Sequence, residues 1–133
     1  MDKLTKRKDV FWQASQRLEE SLQEFSIKDK TDRYYDFLRD SVIQRFEFTF
    51  DIFWKTLKDI LKEQHKIMLA SPRATIKECF SQNIINEKEL ALLEDMIDDR
   101  NNTSHAYDEV MADEIAHRAS SNKDIMDTIV NRS

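Results

Sequence analysis

The sequence predicts an all-α fold, a bundle of about five helices, and three observations carry that expectation. The 133 residues include no glycine and one proline, Pro72. Tight hairpins and positive-φ turns therefore lack their usual occupants, which counts against a many-stranded sheet. Charged residues make up 35% of the chain, and Leu, Glu, Lys, Gln and Ile are abundant, as amphipathic helices require. Apolar residues then recur every three or four positions along most of the length. The length suits a single domain over residues 1–133, with no linker or internal repeat to suggest a second.

The first helix is expected from about Leu4 to Phe25, where Phe11, Ala14, Leu18, Leu22 and Phe25 make one buried stripe. Ser26 to Lys30 is polar and reads as a turn. The second helix is the long one, from about Asp32 to Lys66, with Thr31 or Asp32 as its N-cap. Ile43, Phe46, Phe50, Phe53, Leu57 and Ile60 keep a three-four rhythm, and Leu38, Val42 and Ile52 widen the apolar arc. Such a helix belongs at the centre of a bundle. Its crowded aromatic stretch, with four phenylalanines and Trp54, reads as core rather than as a stacking surface for bases.

Ser71-Pro72 opens the third helix, serine as N-cap and proline at the first helical position, with Ile76, Cys79 and Phe80 as its apolar edge. Asn86 with Glu89 resembles a capping box at the start of the fourth. Leu90, Leu93 and Ile97 form its stripe, and one further step of three reaches Arg100. Asn101 to Ser104 are poor helix formers, so the helix should loosen there. Asp108 and Glu109 suit the positive end of a last helix running to about Val130, with Met111, Ile115, Met126 and Ile129 inward. Ala119 to Asn122 are where that helix could kink.

Composition excludes several functions. Without glycine there is no P-loop and no dinucleotide fingerprint. No apolar run approaches a membrane span, and the residues after Met1 lack a signal peptide's apolar region, so the cytoplasm is expected. A lone Cys79 excludes an intrachain disulfide and most zinc sites. His65, His105 and His117 lie on separate elements without ligand spacing, so neither metal nor other cofactor is expected. A net charge of −5 argues against broad coating of nucleic acid, and no DNA partner is expected. The Lys3, Lys6, Arg7 and Lys8 cluster reads as a solvated terminus.

One segment stands apart: Arg100-Asn101-Asn102-Thr103-Ser104-His105-Ala106-Tyr107. A guanidinium that keeps its charge, beside an imidazole that titrates near neutrality, suits metal-free phosphodiester chemistry. On an unbroken helix, residues five apart are rotated by about 140°. Arg100 and His105 can meet only if the backbone bends between them or a second chain completes the pair. The ordinary alternative pairs Arg100 with Asp95, Asp98 or Asp99 and leaves His105 capping the last helix. Ser104, His105 and Asp108 include triad residue types without the setting that makes a serine nucleophilic.

Taken with its flanks, the segment resembles the motif of HEPN domains, in which Arg is followed by a short polar stretch and then His. Tyr107, two residues after His105, is similar to the subgroup encoded beside minimal nucleotidyltransferases, also called nucleotidyltransferase substrate-binding proteins. Ile43-Gln44-Arg45-Phe46-Glu47, Trp54-Lys55-Thr56-Leu57-Lys58 and Ser71-Pro72-Arg73-Ala74 fit the same subgroup. The resemblance implies an up-and-down bundle that forms a homodimer, with two motifs facing each other across the interface. It implies an RNA substrate cut without metal by Arg100 and His105, with Asn101 as the polar positioning residue. It also implies a toxin–antitoxin pair, in which a cognate nucleotidyltransferase adenylylates Tyr107 and silences the toxin. Glu47 and Lys55 could reach the site, or be an intrahelical pair or interface charges. The rival implication is a non-catalytic subunit that presents a nucleotide to the transferase. The chain itself is unsuited to be that transferase, having no glycine for its Gly-Ser loop and no Asp-x-Asp pair.

Overall fold

The computed structural model describes residues 2–133, and among them every regular element is helical. In chain order these are α1 (Lys3–Ser26), α2 (Tyr35–His65), α3 (Pro72–Ser81), α4 (Glu87–Asn102), a single 3-10 turn (Thr103–His105) and α5 (Glu109–Arg132). The expected five helices are present. None is long and apolar enough among the described residues to cross a membrane.

Helix α2 is the central element and packs on all the others. Its stripe of Ile43, Phe46, Phe50, Phe53, Leu57 and Ile60 is buried throughout, and Phe11 of α1 sits 6.1 Å from Phe53, ring to ring. Full burial of side chains of this size contributes about 1.5–3 kcal/mol each, enough to make this the organising core. Cys79 of α3 lies inside it, where burial pushes the thiol up to about 12 and leaves it unreactive.

Local rules account for most helix ends. Asp2 accepts from the Thr5 amide, Ser71 from the Ala74 amide and Asp108 from the Val110 and Met111 amides. Asn86 and Glu89 complete the capping box in both directions. With no glycine to spare, two left-handed positions fall to Lys66 (φ 59°), the C-cap of α2, and Asn83 (φ 60°). Asparagine accepts that conformation readily, whereas for lysine the cost is offset by the two carbonyls its amide caps, those of Leu61 and Lys62.

Several expectations need correction. Neither Thr31 nor Asp32 caps α2. Asp29 accepts from the Thr31 amide and Asp32 from the Tyr34 amide, two side-chain turns that delay the helix to Tyr35. Phe80 and Phe48 are exposed rather than core, and Thr75 takes the inward place on α3. Helix α5 is unbroken at Ala119–Asn122, because Asn122 is buried and its Nδ2 donates to Asp99 at 3.1 Å. Lys3 and Arg7 are not merely solvated: both reach the buried Asp59 of α2, Arg7 Nε at 3.0 Å.

Candidate functional site

The last turn of α4 is held from both sides. Asp99 faces α5, where Arg118 donates to both of its oxygens and Asn122 is a second partner. Arg100, the next residue, turns the other way and reaches α2. Leu93, Met96 and Ile97 bury the stripe that leads to it, so its guanidinium emerges where α4 lies against the middle of α2.

There the guanidinium meets Asp51 in a parallel two-bond pair, Nε to Oδ1 at 2.8 Å and Nη2 to Oδ2 at 3.0 Å. Glu47, one turn earlier on α2, brings Oε1 to 3.6 Å of Nη2. Thr103 joins the two: its hydroxyl lies 2.8 Å from Glu47 Oε2 and accepts from Arg100 Nη1 at 3.3 Å. The Asp51 hydrogen bonds, against some loss by burial, raise the Arg100 pKa above its ordinary value, so its charge is permanent. Asp95, Asp98 and Asp99, the partners considered from sequence, take no part. Two carboxylates around one guanidinium leave this spot net negative.

The helix gives way to the 3-10 turn Thr103–His105, beginning inside the Asn101–Ser104 stretch where it was expected to loosen. His105 is exposed on this turn and its ring stands 6.0 Å from that of Tyr107, edge to face. Tyr107 is 83% exposed, and among the described residues its hydroxyl has no hydrogen-bond partner. The N-cap of α5 is Asp108, so His105 does not cap that helix. Ser104 donates to the Asn101 carbonyl at 3.1 Å, which keeps its hydroxyl in the turn and away from His105.

The single chain thus brings His105 and Tyr107 together and ties the partly exposed Arg100 to α2. Among the described residues, no hydrogen bond or ion pair joins Arg100 to His105, and exposed Asn101 touches neither through its side chain. A shallow groove of about 460 Å³ runs between this turn and α2, lined by Ile43, Gln44 and Glu47 on one side and by Thr103, Ala106 and Tyr107 on the other. Glu47 therefore reaches the site, while Lys55 lines a different groove on the α1 side of α2. Asp51 and Thr103 were not singled out from sequence. The available signal was that Glu47 and Asp51 are one helical turn apart, two carboxylates on one edge of a largely apolar helix. Among the described residues, no three His, Cys, Asp or Glu side chains cluster as a metal site.

A family model described as nucleotidyltransferase substrate binding protein like matches residues 6–130. Comparison with curated proteins finds no match. Among solved structures, a protein of Thermus thermophilus is 32% identical, with a TM-score of 0.76 over 90% of this chain and 97% of its own. The tri-AMPylated HEPN toxin of Shewanella oneidensis, solved in complex with MNT antitoxin, gives a TM-score of 0.77 at 18% identity, over 98% of this chain and 96% of its own. A toxin-antitoxin structure with AMP-PNP gives 0.75 at 16%, over 98% of both chains. At those two identities the likeness is one of fold. The structure shares the fold of the Shewanella HEPN toxin, and the match across residues 6–130, together with the Thermus relative, shows that this chain belongs to the nucleotidyltransferase substrate binding protein like family.

Proposed function

We propose that this protein is the toxin of a toxin–antitoxin pair, a metal-independent endoribonuclease that works as a homodimer and is silenced by a cognate nucleotidyltransferase. The carrying observation is the exposed turn after α4, where His105 and Tyr107 stand beside each other next to an arginine anchored on α2. In the reaction, an RNA 2′-oxygen attacks the adjacent phosphorus and the bond to the 5′-oxygen breaks. His105 of one protomer takes the 2′ proton, and the equivalent histidine of the other gives a proton to the leaving oxygen. The products are a 2′,3′-cyclic phosphate and a 5′-hydroxyl. Arg100 stabilises charge on the phosphoryl oxygens and Asn101 orients them. A second copy is supported by Phe37 on α2, 73% exposed, an apolar surface that one bundle leaves uncovered. The high exposure of Tyr107 suits an acceptor for AMP: its phenol oxygen would attack the α-phosphorus of ATP and release pyrophosphate.

Arg100→Ala and His105→Ala should each lower RNA cleavage by about a hundredfold or more, with helical circular dichroism unchanged. A chelator should leave cleavage intact. Cleavage by both variants at the wild-type rate, or loss of activity in EDTA, would overturn the reading.

One observation favours a second reading, a non-catalytic subunit that presents a nucleotide to the transferase. Arg100 already carries Asp51 and Glu47, and a phosphate must displace a carboxylate to reach it. Absence of RNA cleavage, alongside Tyr107 labelling by the transferase and ATP, would select that reading.

A further inference from the structure

The groove between α1 and α2 runs against the acidic balance of the molecule. The chain has 26 acidic and 21 basic side chains. Yet the groove between these helices, about 410 Å³, is lined by Arg17, Arg45 and Lys55 with Asp51 as its one acid. That acid is already taken up by Arg100. Arg45 crosses the groove and donates to the Arg17 carbonyl at 2.6 Å, fixing the two helices and forming part of the floor. Arg17 and Lys55 are exposed and have no ion-pair partner among the described residues, unlike Lys3 and Arg7 at the start of α1.

Phe48 stands on the same wall, 54% exposed in the middle of a helix whose other phenylalanines are buried except Phe37 near its start. A large aromatic ring left in water between three cations is the composition of a single-strand binding groove. Cations follow the phosphates and the ring stacks a base without reading its identity. Asp51, the residue that holds Arg100, is itself part of the groove wall, so the groove passes beside the anchor of the Arg–His turn.

We propose that the α1–α2 groove is the track for a single RNA strand, with Arg17 and Lys55 gripping phosphates and Phe48 stacking a base on the approach to Arg100. The proposal rests on the ribonuclease reading for the identity of its ligand, but its geometry is separate from the catalytic pair. Arrival of a phosphate beside Asp51 would also supply the anion that competes with Asp51 for Arg100. Binding and release of the arginine would then be one event. An acidic surface of a protein partner could use the same cations, and retained RNA affinity with loss of the nucleotidyltransferase alone is the outcome that would reveal it.

The test is fluorescence anisotropy with a labelled mixed-sequence 2′-O-methyl RNA 12-mer, which cannot be cleaved, so binding is read without catalysis. The full-length protein is compared with Arg17→Glu/Lys55→Glu, with Phe48→Ala, and with Lys77→Glu/Lys88→Glu. The last places the same charge change on exposed lysines of α3 and α4. The groove double variant should weaken binding at least tenfold and make it less salt-dependent, since two phosphate contacts are lost. Phe48→Ala should weaken binding about fivefold or more. The α3–α4 variant should bind within about twofold of wild type. Equal loss in both charge variants, no loss in the groove variant, or no binding by wild type would each overturn the track. So would groove variants that keep RNA affinity and lose only the nucleotidyltransferase. If the track variants bind weakly as expected while wild type cuts no RNA, the track stands and the nuclease reading falls. If cleavage is real but its KM is unmoved by Arg17→Glu/Lys55→Glu, the track falls alone.

Discussion

Arg39 and Arg100 both meet carboxylates across the α2 surface, and they end in opposite situations. Arg39 is 4% exposed and links the start of α2 to the start of α5 through Asp113 and Glu109, with Asp36 and Asp40 from its own helix. Tyr35 and Lys30 donate to the same Asp113, at 3.1 and 2.9 Å. Burial opposes the charge on Arg39, and the hydrogen bonds it donates to its carboxylate partners more than restore it, so its pKa is raised. Arg100 has a better-formed pair but lies 28% exposed, beside a turn whose His105 and Tyr107 face water. The first arginine closes the fold behind the motif. The second is held at the surface by partners that an incoming anion can replace. Two arginines of similar chemistry thus serve different ends because one guanidinium is buried and the other reaches solvent.

The comparison breaks if the two arginines respond alike to the same substitution. Arg39→Met should cost about 3 kcal/mol in urea unfolding, because a buried charge network loses its centre. Arg100→Met should cost about 1 kcal/mol or less by the same measurement, since a half-exposed pair contributes little net stability. It should nevertheless abolish cleavage. Equal destabilisation by both would mean that Arg100 is a structural clamp and that its place in the motif is incidental.

A smaller effect sharpens the Arg39 side. Burial works to raise the Asp113 carboxyl, but hydrogen bonds from Lys30, Tyr35 and Arg39 outweigh it and hold the pKa below the ordinary 3.8. A depressed carboxylate stabilises the fold at any pH above its unfolded value, and that stability is lost as pH falls through the folded value. Asp113→Asn should therefore cost about 1–2 kcal/mol at pH 7. The gap to wild type should begin to close below about pH 4. A gap as wide at pH 2.5 as at pH 7 would show that the ionised state of Asp113 is not what stabilises the protein.

What was legible in the sequence divides along the same line. The all-α bundle, Ser71-Pro72, the Asn86–Glu89 capping box and the α2 stripe are local patterns, and local physics decides them. The start of α2 departed from expectation where side-chain turns at Asp29 and Asp32 competed with the helix. The motif was legible as residue types, and helical rotation showed that Arg100 and His105 could meet only through a bend or a second chain. Its partners were not. Asp51 and Arg100 are 49 positions apart, and only the packing of α4 on α2 brings them together. Phe48 shows the same limit in reverse: it belongs by type to the core stripe, but its angle on α2 places it beside Arg17 and Lys55 in water.

Tyr107 supplies the smallest expected effect and the most direct reading of the exposed side. Its phenol oxygen bonds to nothing among the described residues, and its ring lies over the groove by Ile43 and Gln44 without being enclosed. Tyr107→Phe removes only that oxygen, so the unfolding free energy should move by less than about 0.5 kcal/mol, the range of surface substitutions away from special contacts. The same substitution should nonetheless abolish labelling by the nucleotidyltransferase with ATP and magnesium, since the accepting atom is gone. An adduct on wild type should place a bulky anion beside His105 and within reach of Arg100, blocking cleavage with the fold intact. Intact-mass analysis before and after incubation reads the adduct, and urea unfolding of both forms reads the fold. A Tyr107→Phe protein that still gains AMP would move the acceptor elsewhere. A variant destabilised by about 2 kcal/mol, well outside that surface range, would mean that the phenol is held by contacts the exposed turn does not display, and the contrast with Arg39 would lose its exposed half.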